Sequence, residues 1–210
     1  MSSDLKVTNI KHESSASNNL VLGSDGSTTI ANGTISAGTI GSGVTLNAST
    51  RTLTSEVSLT GNPFVFTNDV PSNAKEIKIM IDGASTATSS SDMYIQLGTG
   101  SSASPNFKTS GYECTGGYLG SANALEARNE GFLLKNNIGD SDSSHNSICL
   151  TYYGGNKWFF TEQGSYTGTN SYLSFGQGYV ALSAQLTQIR ITNNNSYNFD
   201  SGTAVIMFCV

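Results

Sequence analysis

The stretch "CLTYYGGNKWFF", Cys149–Phe160, reads as a β-hairpin. Two aromatic-rich arms, Leu150–Tyr153 and Trp158–Phe160, flank Gly154, Gly155 and Asn156, the residue types that supply positive φ in a tight turn. Trp158 falls inside a strand pattern, which assigns it to the core. The same alternation recurs on either side. In "EIKIMID" (76–82), Ile77, Ile79 and Ile81 share one face, with Lys78 and Met80 on the other. In "DMYIQLG" (92–98), Met93, Ile95 and Leu97 fall together. In "YVALSAQL" (179–186), Val180, Leu182, Ala184 and Leu186 share a face, and Ile189 and Ile191 restart it, which predicts a bulge or bend near Thr187. Turns are expected at Asn193–Ser196 and at "DSG", Asp200–Gly202. The closing "TAVIMFCV" is apolar on both faces and needs cover on both, at the centre of a sandwich or against a partner subunit. Helical periodicity is confined to "SANALEARNEG", where Ser121 would cap a short turn and Gly131 would end it. The sum predicts an all-β fold, an antiparallel β-sandwich of jelly-roll type.

Composition agrees. Only 12% of the 210 residues are charged, and 23 Gly sit beside abundant Ser, Thr and Asn, a blend suited to many strands joined by tight turns. The net charge of -5, with no Lys/Arg cluster, offers nothing to a phosphate backbone or an anionic membrane, so neither nucleic acid nor membrane is an expected partner. The opening "MSSDLKVTNI" lacks the charged and apolar regions of a signal peptide, and the longest apolar run, Ala204–Val210, is too short to span a bilayer. Synthesis in a cytosol and a soluble product are therefore expected. Cys114, Cys149 and Cys209 are odd in number and form no CxxC pattern, so no zinc site or other cofactor is expected and the thiols read as reduced and mostly buried.

Aromatic residues are absent before residue 50 and frequent after it. This places a boundary between an N-terminal segment, 1–50, and a C-terminal β-sandwich domain, 51–210. A segment of that length without aromatics does not bury a core of its own. It does carry "TTIANGTISAGTIGSGVTL" (28–46), in which Gly33, Gly38 and Gly43, and likewise Ile30, Ile35 and Ile40, recur every five residues. An odd period flips successive side chains across a straight strand, unless a glycine turn or bulge resets the face once per repeat. With that reset, copies wound together stack Ile30, Ile35 and Ile40 on a shared axis. A flexible Gly/Ser/Thr linker is the alternative.

Two regions also resemble known proteins. "ESSASNNLVLGSDGSTTIANGTISAGTIGSGVTL" (13–46) resembles the stalk-like segments of tail fibres of marine bacteriophages, especially those infecting cyanobacteria. The remainder is similar to a domain common at the ends of phage fibre and virion surface proteins. The residues that carry the similarity are "FVFTNDVPSNAKEIKIMIDGAST" (64–86), "QLGTG" (96–100), "SGYECTGGYLG" (110–120) and "LTQIRITNNNSYNFDSGTAVIMFCV" (186–210). Where such proteins commonly carry a glycine in the last polar turn, this chain has Asn193, Asn194, Asn195 and Ser196. The resemblance implies a homotrimeric virion protein, made in the bacterial host's cytoplasm, attached to other virion proteins through its N-terminus. Its tip would meet a host cell-surface glycan or protein. A capsid decoration protein or short head fibre is the alternative, and a glycan depolymerase the less favoured one.

Candidate contacts follow from the glycine-rich "QGSYTGTNSYLSFGQG" (163–178), where Tyr166, Tyr172 and Phe175 stand among polar residues that include Asn170. Exposed aromatics beside polar donors suit a sugar cleft, and loops on a rigid scaffold suit recognition. "NNIGDSDSSHNS" gathers Asp140, Asp142 and His145, yet lacks the glycine and distal glutamate of a calcium loop, and reads as a solvated acidic turn. Asp92, Glu113, Glu126, Glu130 and Glu162 lie in polar, loop-like stretches that do not single out a glycosidase pair. The chain has no G-x-S-x-G elbow for a serine hydrolase, so no catalytic residue is expected.

Overall fold

The computed structural model describes residues 9–10, 20–22, 28–29, 51–66, 70–88, 91–119, 124–168 and 171–210. The chain divides into two units, Met1–Asn47 and Ala48–Val210. In the first, β1 (Asn9–Ile10), β2 (Leu20–Leu22) and β3 (Thr28–Thr29) pair antiparallel in the order β1-β2-β3. Ile30, Ile35 and Ile40, expected on a shared axis, lie outside the described residues.

The second unit is built of antiparallel strands alone among the described residues. They are β4 (Arg51–Leu53), β5 (Val57–Ser58), β6 (Phe64–Val65), β7 (Glu76–Thr86), β8 (Ser91–Ser101), β9 (Ser104–Phe107) and β10 (Glu113–Leu119). There follow β11 (Ala124–Arg128), β12 (Phe132–Ile138), β13 (Ser143–Gly154), β14 (Lys157–Thr167), β15 (Tyr172–Ala181), β16 (Gln188–Asn193) and β17 (Phe199–Cys209). The larger sheet runs β11-β10-β15-β14-β13-β7-β17-β4, with β5 also on β17. The smaller runs β12-β8-β16-β6, with β9 on β8. The two pack face to face through one core, to which β7 gives Ile77, Ile79 and Ile81, and β8 gives Met93, Ile95 and Leu97.

The predicted hairpin is β13–β14. Tyr152 pairs Trp158, and Gly155 and Asn156 have φ of 56° and 60°, the two positive values that a type I′ turn requires. Other expectations change. Ala124–Arg128 is a strand paired with β10, not a helical turn; pairing along its whole length to Cys114–Tyr118 outweighs the helix propensity of Ala, Leu and Glu. The register change in "YVALSAQL" is a change of sheet: β15 ends at Ala181 in the larger sheet and β16 starts at Gln188 in the smaller, leaving Leu182 and Leu186 buried but Ala184 exposed. "DSG" is not a turn but a bulge inside β17, where pairing to β7 shifts twice between Phe199 and Thr203. Gly202 sits there at φ 103°, so close to Ala84 that a Cβ would lie 2.7 Å from its Cα. Of the two covers expected for the last strand, the sandwich itself supplies one. Ala204, Ile206 and Phe208 enter the core, while Val205 and Met207 stay half-buried on the outside.

One contact sets the spacing of the sheets. Phe132 of β12 stacks on Phe160 of β14, with centroids 4.5 Å apart and planes 3° from parallel, and meets Tyr112 edge-on at 4.8 Å. Its ring lies over Gly178 of β15, where a Cβ would come within 3.0 Å of it. Phe132→Ala removes both ring contacts from a fully buried site and is expected to lower stability by about 3–5 kcal/mol, measured by denaturant unfolding.

Candidate functional site

Alternation along the strands of the larger sheet sends one set of residues to the core and the other to an outer face. On that face the cross-strand register aligns Glu113, Tyr179, Phe159 and Thr151 in one row, and Thr115, Gln177, Thr161, Cys149 and Lys78 in the next. Phe159 and Tyr179 are paired directly, with centroids 5.4 Å apart, and Tyr153 adds a third ring edge-on to Phe159 at 5.4 Å. These rings form a shelf in water: Tyr153 is 73% exposed and Phe159 44%.

The shelf opens into a groove of about 1050 Å³ that runs from Phe159 and Tyr179 over Thr115, Thr161 and Gln177 to Arg128 and Asn129. Its far wall is a polar network. Arg128 donates through Nε and Nη2 to Asp92 Oδ2 at 3.1 and 3.0 Å, Tyr94 Oη donates to the same oxygen at 3.1 Å, and Glu126 also contacts the guanidinium. The backbone amide of Asn137 reaches Asp92 Oδ1 at 3.2 Å, so one carboxylate ties β11, β8 and β12 together. A second hollow of about 690 Å³ continues along the same face, between Phe175 and Leu125 on one side and Lys78 and Glu76 on the other. The two share Thr115, Thr161 and Gln177. A shelf of aromatic rings above amide and hydroxyl groups offers flat apolar contact and directional hydrogen bonds within one concavity, the combination that holds a hydroxyl-rich ring.

Of the sequence-predicted contacts, Phe175 borders this face and Tyr166 and Tyr172 do not. Their segment is not a loop but the β14–β15 hairpin. Tyr166 is 8% exposed, on the inner side. It stacks on half-buried Tyr172 at 4.8 Å with Tyr118 edge-on to both, and Lys135 Nζ sits 3.6 Å from its centroid. Lys135 is itself buried, bonded to the carbonyls of Asn136 and Asn137 and paired with Asp142 at 3.3 Å; burial lowers its pKa against the pull of Asp142. Tyr166 is thus a packing residue. Phe175 points the opposite way, to the outer face, where it borders the second hollow. Asn170 lies outside the described residues. The rings the sequence reading missed, Tyr153, Phe159 and Tyr179, were marked by parity: each occupies the outward position beside an inward Tyr152, Trp158 or Val180.

The carboxylates are also placed differently from expectation. Asp92, Glu113, Glu126 and Glu162 are strand residues rather than loop residues. Glu162 is 2% exposed in the interior of β14. Its Oε1 accepts from Asn146 Nδ2 at 2.8 Å and Ser174 Oγ at 2.9 Å, and its buried Oε2 has no partner among the described residues. Burial pushes its pKa from the ordinary 4.5 up to about 7, with the two hydrogen bonds opposing. Asp140, Asp142 and His145 do not gather: Asp142 pairs Lys135 and accepts from the Gly139 amide, whereas His145 turns to Asp82. Among the described residues no group of three or more His, Cys, Asp or Glu could hold a metal ion.

His145 does complete a Ser–His–Asp arrangement that the sequence did not reveal. Its Nδ1 is 2.6 Å from Asp82 Oδ1 and its Nε2 is 3.1 Å from Ser143 Oγ. Ser143 and His145 lie two apart on β13, and Asp82 is on neighbouring β7. The side chain of Asp82 is 80% exposed, so water competes for its carboxylate, and none of the three lines either groove. The distances are those of a hydrolase, but the setting lacks the dry cleft such chemistry uses. No known protein family, curated protein or solved structure matches the chain.

Two measurements check these assignments. Because the folded Glu162 binds its proton more tightly than the unfolded one, its stability contribution is full below pH 4.5 and is lost as pH rises through about 7. Denaturant midpoints should fall over that window in the native protein and stay flatter in Glu162→Gln. On p-nitrophenyl acetate, the native protein and Ser143→Ala are expected to show the same background rate; a burst present only with Ser143 would make the triad catalytic.

Proposed function

We propose that this chain is a virion fibre protein that binds a host-surface glycan without catalysis, as a homotrimer. The observation that carries the reading is the exposed ring shelf of Tyr153, Phe159 and Tyr179 opening into a groove floored by Thr115, Thr161 and Gln177. Sugar rings present apolar C–H faces and hydroxyl edges, and this groove offers a partner for each. Single contacts of this kind are weak, and three tips held together multiply them by effective concentration. The order of motifs that resembles phage fibre tips supports the virion setting, with the N-terminal segment as the attachment to other virion proteins.

The outside of the last strand supports the trimer. Val205 and Met207 are half-buried, and Met80 on β7 and Leu53 on β4 are largely exposed, in one apolar strip. β4 follows directly on the segment that carries the isoleucine repeat. A second copy of the chain is the occupant that fits this strip.

On a bacterial-surface glycan array and on intact host cells, the native protein is expected to bind, and Phe159→Ala and Tyr179→Ala to lose about tenfold or more in affinity with unchanged folding. No binding, with localisation to the capsid in fractionated virions, would overturn the reading in favour of a structural decoration. Light scattering should give a trimer for the native chain and smaller species for Met207→Lys; a monomeric native chain at micromolar concentration would remove the trimer.

A further inference from the structure

The two hollows on the outer face share their floor, and that continuity defines the kind of glycan that fits. The floor residues Thr115, Gln177 and Thr161 stand side by side on β10, β15 and β14, and the same register row continues through Cys149 to Lys78 on β7. From β10 to β7 are four strand intervals of about 4.8 Å each, or roughly 19 Å of continuous trough across the strands. One strand interval is close to the length of one pyranose residue in a chain. Both hollows are bounded by apolar or aromatic groups, Tyr179 and Phe159 at one, Phe175 and Leu125 at the other, with the hydroxyl and amide floor between them.

The charges decide the ligand's sign. Arg128 is already engaged by Asp92 and Glu126, and Lys78 by Glu76 at 3.4 Å. Glu113 and Glu130 add two further carboxylates to the lining, in a chain whose net charge is -5. Among the described residues that line the two hollows both cations are already paired, so a sulfate or uronate would be held against like charge in a partly dehydrated groove. Resting on the glycan-binding reading above, we propose that the trough takes an internal run of about four residues of an uncharged polysaccharide, lying across the strands, rather than a single terminal or acidic sugar.

The test is titration calorimetry on the full chain with neutral oligosaccharides of one to six residues from the β-1,3-glucan, α-1,4-glucan and mannan series, beside oligoalginates and carrageenan oligosaccharides. In at least one neutral series the affinity is expected to rise by about tenfold or more from the monosaccharide to the tetrasaccharide and then level off. It should change little between about 0.05 and 0.5 M NaCl. Thr161→Tyr, which blocks the floor shared by the two hollows from an exposed position, should abolish the rise in affinity from the monosaccharide to the tetrasaccharide. Equal affinity for one residue and four, or preference for the acidic oligosaccharides, would overturn the proposal while leaving a glycan-binding protein. Absence of binding to every oligosaccharide would overturn it together with the adhesive reading.

Discussion

The structure depends on a ring placed where the facing strand has no side chain. Phe132 fills the space over Gly178, stacked on Phe160, and any larger residue at Gly178 would collide both with that ring and, at 2.8 Å, with the carbonyl of Glu113. The glycine is therefore a packing requirement rather than a turn signal. The neighbouring contacts follow the same logic. Gly116 and Gly176 leave room for Leu133, and the Leu133 amide then reaches Cys114 Sγ at 3.3 Å. Tyr112, held edge-on by Phe132, accepts the Leu97 amide on its hydroxyl at 2.7 Å, linking the approach to β10 with β8 of the opposite sheet. With the sheets fixed this closely, the outer face of β10, β15 and β14 has a rigid backing.

Much of this was legible in the chain. The hairpin at Gly155 and Asn156, the inward isoleucines of β7 and the core position of Trp158 follow from period-two alternation and turn chemistry, which act locally. What was not legible depended on distant partners. Ala124–Arg128 has good helix formers, yet it sits opposite Cys114–Tyr118 and takes that strand's conformation. The "DSG" glycine looks like a turn until Ala84 is found against it. The long apolar pattern after Tyr179 crosses from one sheet to the other without any break in sequence character. Local propensity is silent on such contacts.

The site shows the same division. Tyr166 and Tyr172 attracted notice because they stand among glycines, but glycine here marks close packing and the tyrosines turn inward around Lys135. The exposed rings stand next to residues already assigned to the core, so the signal lay in the phase of the strand rather than in composition. Glu162 is the opposite case: an acid inside the sandwich, held by Asn146 and Ser174, in a stretch that reads as polar throughout. The Ser143, His145 and Asp82 contacts needed two strands brought into register and had no sequence motif at all.

The meander β13–β14–β15 occupies one continuous stretch, Ser143–Ala181, and carries the core and the outer face on alternate letters. In Lys157–Thr167, Trp158, Phe160 and Glu162 belong to the interior, and Phe159, Thr161 and Gln163 to the surface. The two sets share a backbone but face opposite sides of the sheet, so a substitution in one leaves the packing of the other in place. Point substitution at every second residue, or exchange of one short gene segment, can therefore rewrite the outer face of this stretch. The interleaved interior letters keep the scaffold through each revision.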